Sequence, residues 1–410
     1  MDATELYQPI LGLTEPWYVD TVTLDEPMTT VTIQLAHQRG SDLFRCPRCQ
    51  QNAPVYDHLP ERRWRHLDTC QYTTLVQACV PRVSCPRCGV HAVRVPWAEP
   101  KGRFTALFES YAIDVLLTAQ VQSRAAALLR LSPEQVGSLL ARALQRGLAR
   151  RSTTQVIPHV TIDEKSLHRG QQYVSILCDG TQGAVLEVVE QRTTEAAKTL
   201  FEQGLSPAQR ATVETVSLDM WDPFKQAAQA QVPQAAYVYD HFHVSSYLND
   251  AVDQTRRAEN KRLRKEDDTT LTGTRYLWLR NPATLDETQQ ARLEELIARE
   301  LQTGAVWRCK EEFRNFFACR TVAAAQTFFQ DWCARVKTLG NAPLQKVAQM
   351  LERHWDGLVA YIEHPVTNAL AESLNTQIQL LKAKARGFRH ALGFRRTILF
   401  HLGQLDLYPQ

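Results

Sequence analysis

The sequence predicts a multidomain chain: a β-rich N-terminal region, a short helical region, and a mixed α/β core carrying a long helical block. Three observations predict it. Six of the ten cysteines fall between Cys46 and Cys88, among strand-like segments. Residues 103–150 switch to helical periodicity. From 156 onward, short apolar runs alternate with helical ones until residue 244, after which 245–358 reads almost entirely as helix.

At 410 residues the chain is too long for one small domain. Hydrophobic content of 44% and charged content of 22% suit a soluble globular protein. The opening "MDATELYQPI" lacks the basic-then-apolar pattern of a secretory signal. No apolar run approaches the roughly 18 residues of a membrane-spanning helix. The expectation is a cytoplasmic protein with no membrane partner. The net charge of +3 says little, but its distribution says more. "RRAENKRLRK" (256–265) has six basic residues against one acid, and Ser373 to Leu405 holds none. Two such segments, if not merely solvated helix faces, point to a polyanionic partner.

Residues 1–100 are expected to form a β-rich domain. "WYVDTVTL", "TTVTIQLAH" and "TTLVQACVPRVSC" are rich in β-branched residues. Among them lie "CPRCQ" (46–50) and "CPRCG" (85–89). Two Cys-x-x-Cys knuckles supply four thiolates, a set that suits tetrahedral Zn²⁺. Cys46, Cys49, Cys85 and Cys88 are therefore the expected ligands of a structural zinc. Four thiolates leave the ion no open position for chemistry. Cys70 and Cys79 lie between the knuckles and either substitute as ligands or stay free.

Residues 101–155 are expected to be helical. "FTALFESYAIDVLLTAQ" places Phe104, Leu107, Phe108, Tyr111, Val115 and Leu116 on one side. An Ala-rich helix (123–130) then meets a turn at Leu131-Ser132, where Ser132 can cap a helix with Pro133 in its first position. Short helix, tight turn and longer helix form a helix-turn-helix pattern, with Gln135, Ser138 and Arg142 as candidates to face a DNA groove. An ordinary helical hairpin has the same signature.

From 156 to 244 the chain alternates. "HVTIDEKSL", "QQYVSILCDG" and "GAVLEVVEQ" read as three strands, and "TTEAAKTLFEQGL" as a helix. "ATVETVSLDMWDPFKQAAQAQ" and "QAAYVYDHFHVSSYLNDAV" each read as a strand running into a helix. In the helical block 245–358, Phe313, Phe316, Phe317, Phe328, Phe329 and Trp332 have helix-face spacing and read as core. Residues 359–410 return to the sheet and end in a basic segment.

Several strands end in carboxylates: Asp163, Asp179, Asp219 and Asp240. A fifth acid, Glu372, opens a late helix that Asn368 can cap. Acids on neighbouring strand ends repel unless a cation sits between them, and Mg²⁺ takes carboxylate oxygens and water. In a ribonuclease-H-like sheet, three strands form a meander and two more follow the first helix. Nucleases and transposases of that fold place acids on the first strand, after the fourth, and on a helix beyond the fifth. Those positions are Asp163, Asp219 and Glu372, with 245–358 as an insertion.

The order of motifs then becomes specific. Paired knuckles and the helix-turn-helix pattern are followed by "IDEKSLHRGQQYVSILCD", "SLDMWDPF", "YDHFHV", "GTRYLWLRNPATL", "TNALAESLN" and "ARGFRH". Over nearly its whole length the chain resembles a DDE transposase of bacterial insertion sequences, of the ISL-three family. The resemblance implies that Asp163, Asp219 and Glu372 are catalytic and hold Mg²⁺ (or Mn²⁺). It implies cleavage of a phosphodiester at the element's end, then attack of the freed 3′-hydroxyl on target DNA. Asp240 and His243 match the family's Asp-x-x-His signature and, with Asn375, are expected to support the active site. Direct Mg²⁺ ligation by Asp240 is the alternative. Lys382, Lys384, Arg386 and Arg389 are expected to join the N-terminal region in binding terminal inverted repeats and target DNA. A nucleoid-associated homodimer is expected, because two ends must be paired. Two rivals share parts of this pattern: a structure-selective nuclease or resolvase, and a non-catalytic zinc and helix-turn-helix regulator.

Overall fold

The computed structural model describes residues 2–38, 44–167, 172–239, 241–364 and 369–410. They fall into two compact units, Met1–Arg151 with Leu405–Gln410, and Ser152–Gln404.

The first unit is built on a four-stranded sheet ordered Trp17–Asp25, Thr30–His37, Thr73–Ala78, Arg62–Arg65. In the second of these strands Val31, Ile33 and Leu35 are buried at period two, the mark of a strand with one covered face. Trp64 and Val76 face each other across the neighbouring pair and are both fully buried. Each cysteine knuckle closes a small hairpin. Phe44–Arg45 pairs with Asn52–Ala53, and Pro81–Cys85 pairs with Gly89–Ala92. Gly89, at φ +81°, sits opposite Cys85 and lets the second knuckle fold back.

Three helices follow: Ala106–Ala119, Gln122–Leu129 and Pro133–Arg150. The expected turn is present, with Arg130 in the left-handed region and Ser132 capping Pro133–Arg150 through a reciprocal box with Gln135. The apolar stripe of the first helix differs from expectation. Leu107 and Tyr111 are exposed, whereas Phe108, Glu109, Ala112, Ile113 and Leu116 are buried. Glu109 can take the inner face because Arg142 and Arg146 both reach it, at 2.7 and 2.6 Å.

Residues 405–410 complete this unit. Leu405 and Leu407 press on Gly147, where an added Cβ would lie 2.7 Å from Leu405 Cβ. Arg150 donates to Asp406 and to the Tyr408 carbonyl, and the Tyr408 hydroxyl donates to Asp114.

The second unit contains a five-stranded sheet. Its strands in chain order are His159–Ser166, Tyr173–Asp179, Ala184–Glu190, Thr215–Leu218 and Ala236–Tyr239. Their spatial order is third, second, first, fourth, fifth. The first three are antiparallel, and the fourth and fifth run parallel to the first. Helix Thr194–Gly204 packs against the second and third strands and against helix Asp222–Gln231.

The fifth strand stops at Tyr239, and helix His241–Leu263 begins at once. The helices that follow, through Trp355–Glu363, share one continuous apolar core with the sheet, from Val160 to Leu358. Phe313, Phe316, Phe329 and Trp332 are buried in it, with Phe313 and Trp332 ring centroids 4.7 Å apart, so these aromatics are core. Helix Ala391–Leu402 packs on the third strand, where Arg395 grips the buried Glu187 through two bonds of 2.6 and 2.7 Å.

Candidate functional site

Two sites emerge, one in each unit. In the first, Cys46, Cys49, Cys85 and Cys88 bring their four sulfurs within 4.8 Å of one another. Cys49 Sγ and Cys85 Sγ are 3.6 Å apart, against about 3.8 Å for two sulfurs on a tetrahedral zinc at about 2.3 Å each. Backbone N–H groups of Cys49 and Arg48 pull the Cys46 thiol down to about 6, towards the thiolate a metal needs. Cys49 first, then burial and the other two sulfurs, push the Cys88 thiol up. The donor set fits Zn²⁺. Cys70 and Cys79 are exposed and outside the cluster.

Also in the first unit, Lys101, Arg103, Gln135, Ser138 and Arg142 line one cleft beside the turn. Two of the residues expected to face DNA have internal partners there. The Gln135 side chain closes the helix cap on Ser132, and Arg142 is paired with Glu109.

In the second unit, the first and fourth strands lie side by side with Thr161 opposite Ser217. Asp163 and Asp219 each follow two residues on, so parallel register sets the two acids level; the fourth strand has ended by then, but the first runs on to Ser166, so Asp163 lies inside its strand and not at the end expected from the sequence. Asp163 is held from three directions. Its Oδ1 accepts the Glu164 N–H, and its Oδ2 accepts from Lys165 Nζ at 2.8 Å and from Asn375. Asp219 is the reverse case: its Oδ1 is buried and has no hydrogen-bond partner among the described residues. Burial, with the charges of Glu164 and Asp163, pushes the Asp219 carboxyl up to about 6, while His243 and the Trp221 N–H pull it down.

Glu372 is exposed on helix Ala369–Lys384, one turn before Asn375. Among the described residues the four cysteines are the one group of three or more side chains close enough to hold a metal ion, and Asp163, Asp219 and Glu372 do not form a second. The Asn375 bond to Asp163 ties the Glu372 helix to the acid pair. His243, on the first turn of its helix, acts on Asp219, whereas His241 packs against Phe317 and Tyr361. The strand does not continue through these histidines; the helix separates them by about 200° instead. Asp240 and Asn368 lie outside the described residues.

The basic segment divides. Lys382 is half-buried and donates to the Ser166 carbonyl, and Arg395 is committed to Glu187. Lys384, Arg386 and Arg389 are exposed, with Arg386 and Gly387 in left-handed conformations that end the helix. Sequence reasoning missed Lys165, Arg192 and Trp221. Lys165 stands two residues after Asp163 on one strand, and that spacing alone places both on one face.

Two family models match this chain. One, described as "Transposase" of the ISL3 DDE type, matches residues 160–398. The other, described as the zinc-finger of transposase IS204/IS1001/IS1096/IS1165, matches residues 42–88. The chain is 27% identical over 369 residues to the transposase for insertion sequence element IS1001 of Bordetella parapertussis, covering 89% of this chain and 90% of that protein. It is 26% identical over 416 residues to the transposase for insertion sequence element IS1557 of Mycobacterium tuberculosis, covering 95% and 93%. No helix among the described residues is long and apolar enough to cross a membrane.

Proposed function

The chain belongs to the ISL3 family of insertion-sequence transposases, and on that premise we propose that it binds the ends of its own element, cuts DNA there, and joins the freed 3′-hydroxyl to a target. The observation that carries this reading is the acid pair. Asp163, inside the first strand, and Asp219, just past the end of the parallel fourth, stand on neighbouring strands, and Asp219 keeps a buried oxygen with no hydrogen-bond partner among the described residues. A buried carboxylate oxygen left unpaired is costly, and a divalent cation between the two acids would satisfy it. The sheet order third-second-first-fourth-fifth supports a ribonuclease-H-like core. In this reading Asp163 and Asp219 would hold Mg²⁺ or Mn²⁺, and Glu372, which does not form a metal-holding group with them, would have to draw nearer to serve as the third ligand.

When bound, such an ion supplies charge stabilisation for the phosphodiester and acidifies water or a hydroxyl. The chain's own residues do the rest. Asn375 anchors the Glu372 helix to Asp163, so the third acid approaches the pair as part of a rigid element. Burial raises the Asp219 carboxyl, and the neighbouring His243 offsets part of that rise. Asp240, at the fifth strand's end in the sequence, is kept as a supporting residue. Exposed Lys384, Arg386 and Arg389 offer phosphate contacts, and the cleft with Lys101, Arg103, Gln135, Ser138 and Arg142 offers a second surface, for a helix-turn-helix role. Affinity for DNA should therefore fall steeply with salt. Pairing two ends favours a homodimer.

The test is strand cleavage and joining by the full chain on DNA bearing its element's ends, with Mg²⁺. Replacement of Asp163 or Asp219 by Asn, or of Glu372 by Gln, should abolish both steps while leaving end binding in place. Normal cleavage by any of the three variants would overturn the assignment of that acid.

A further inference from the structure

Beside the acid pair stands a stack that the reaction scheme does not use. The Arg192 guanidinium carbon lies 4.5 Å from the Tyr173 ring centroid and 4.8 Å from that of Trp221. Three features lock this arrangement. An isolated bridge between Val174 and Gln191 fixes the backbone just before Arg192 against the second strand, next to Tyr173. The Trp221 indole N–H donates to the Arg192 carbonyl at 3.2 Å. Glu164 accepts from Arg192 Nη1 with both carboxylate oxygens, at 2.9 and 3.2 Å.

The stack is tied directly to the acids. Trp221 follows Asp219 by two residues and gives its backbone N–H to that carboxylate, and Glu164 follows Asp163 by one. Yet Trp221 is 38% exposed, and the Arg192 side chain 39%. A brace serving only the fold would gain more by burying its indole, since apolar area left in water forgoes burial energy. An indole held half in water at a phosphodiester-cutting site has the properties of a stacking platform. Every base offers a π-face, so such contacts tolerate any sequence. The guanidinium beside it is planar and permanently charged, and suits the phosphate of the same nucleotide. Because the rings and guanidinium are already packed together, little ordering remains to oppose binding.

We propose that Tyr173, Arg192 and Trp221 form a nucleotide-holding site that stacks one unpaired base of the DNA strand whose phosphate lies at Asp163 and Asp219. The inference rests on the DNA-cutting reading of the acid pair. It adds that the strand is opened there, because a base inside the duplex cannot reach an indole face. Trp221 supplies the stacking face, Arg192 the charge, and Tyr173 the backing that keeps the guanidinium in register.

The test uses the full chain without divalent ions and two mixed-sequence DNA probes. One is a blunt duplex; the other is a forked duplex with 2-aminopurine in its unpaired strand. The wild-type protein should bind the fork more tightly than the duplex and quench the 2-aminopurine. Trp221→Ala should weaken fork binding about tenfold or more and abolish the quench, with duplex affinity unchanged. Trp221→Phe should restore most of both. Equal fork affinity and equal quenching in wild type and Trp221→Ala would overturn the proposal, as would a fall in fork and duplex binding by the same factor. Failure of the cleavage reading appears separately, as wild-type protein that binds and quenches but never cuts with Mg²⁺.

Discussion

Lys165 Nζ lies 2.8 Å from Asp163 Oδ2, two residues along the same strand, and its side chain is largely buried. The protein thus supplies its own cation to the acid that a divalent ion would use, and the two must compete for one oxygen. Lys165→Met should therefore tighten Mn²⁺ binding several-fold in calorimetry. Unchanged or weaker binding would show that Lys165 does not screen the site.

Asp219 gives a pH dependence of definite sign. Burial holds its folded carboxyl up at about 6 against an ordinary value of 3.8, so between these values the folded state holds a proton that the unfolded state has released. The associated stability is present in full below about pH 4 and is lost as pH rises through about 6. Asp219→Asn removes the penalty and should stabilise the metal-free protein at pH 7.5 by roughly 1–3 kcal/mol. Melting curves at pH 4.5 and 7.5 check it: the variant should gain at the higher pH and keep only a minor part of that advantage at the lower.

The cysteine cluster predicts one zinc per chain. Native mass spectrometry should find it in wild type and in a Cys70→Ser/Cys79→Ser double variant, and lose it in Cys46→Ser. Because both knuckles close on the ion, chelation should also destabilise the first unit, which limited proteolysis would report.

Arg395 and Glu187 form a two-bond pair with Glu187 only 3% exposed. Arg395→Leu strands a buried charge and should cost about 3–5 kcal/mol in urea unfolding, whereas adding Glu187→Gln should recover much of it. If the double variant is as unstable as the single one, packing by the arginine stem is what matters.

Much of this molecule was legible because its signals are local. The knuckles carry their chemistry in four residues each, and the Ser132 cap needs only Pro133 and Gln135. The strand sequence, with a short helix between the third and fourth, was enough to put Asp163 and Asp219 on neighbouring strands. What escaped depends on residues far apart in sequence. The Arg142 ion pair could not be read from the sequence, because nothing near Arg142 announces that Glu109, on another helix, is buried and needs it. The stripe through Leu107 and Tyr111 failed for the same reason, since a buried carboxylate breaks the rule that the apolar face points inward. Arg192 reaches Trp221 across 29 positions, and no spacing rule connects them. Glu372 could be placed on its helix, but its distance from the pair depends on how that helix docks through Asn375.

The contact of Leu405 and Leu407 with Gly147 has a temporal consequence. During synthesis the first 151 residues emerge long before residues 405–410, with all of Ser152–Gln404 between them. The groove over Gly147 thus stays open, and Arg150 lacks Asp406, until the ribosome has finished the unit that carries the acids. A chain cut short before residue 405 would leave Gly147 without Leu405 and Leu407 and Arg150 without Asp406. Completion of the first unit is thereby conditional on translation of the second.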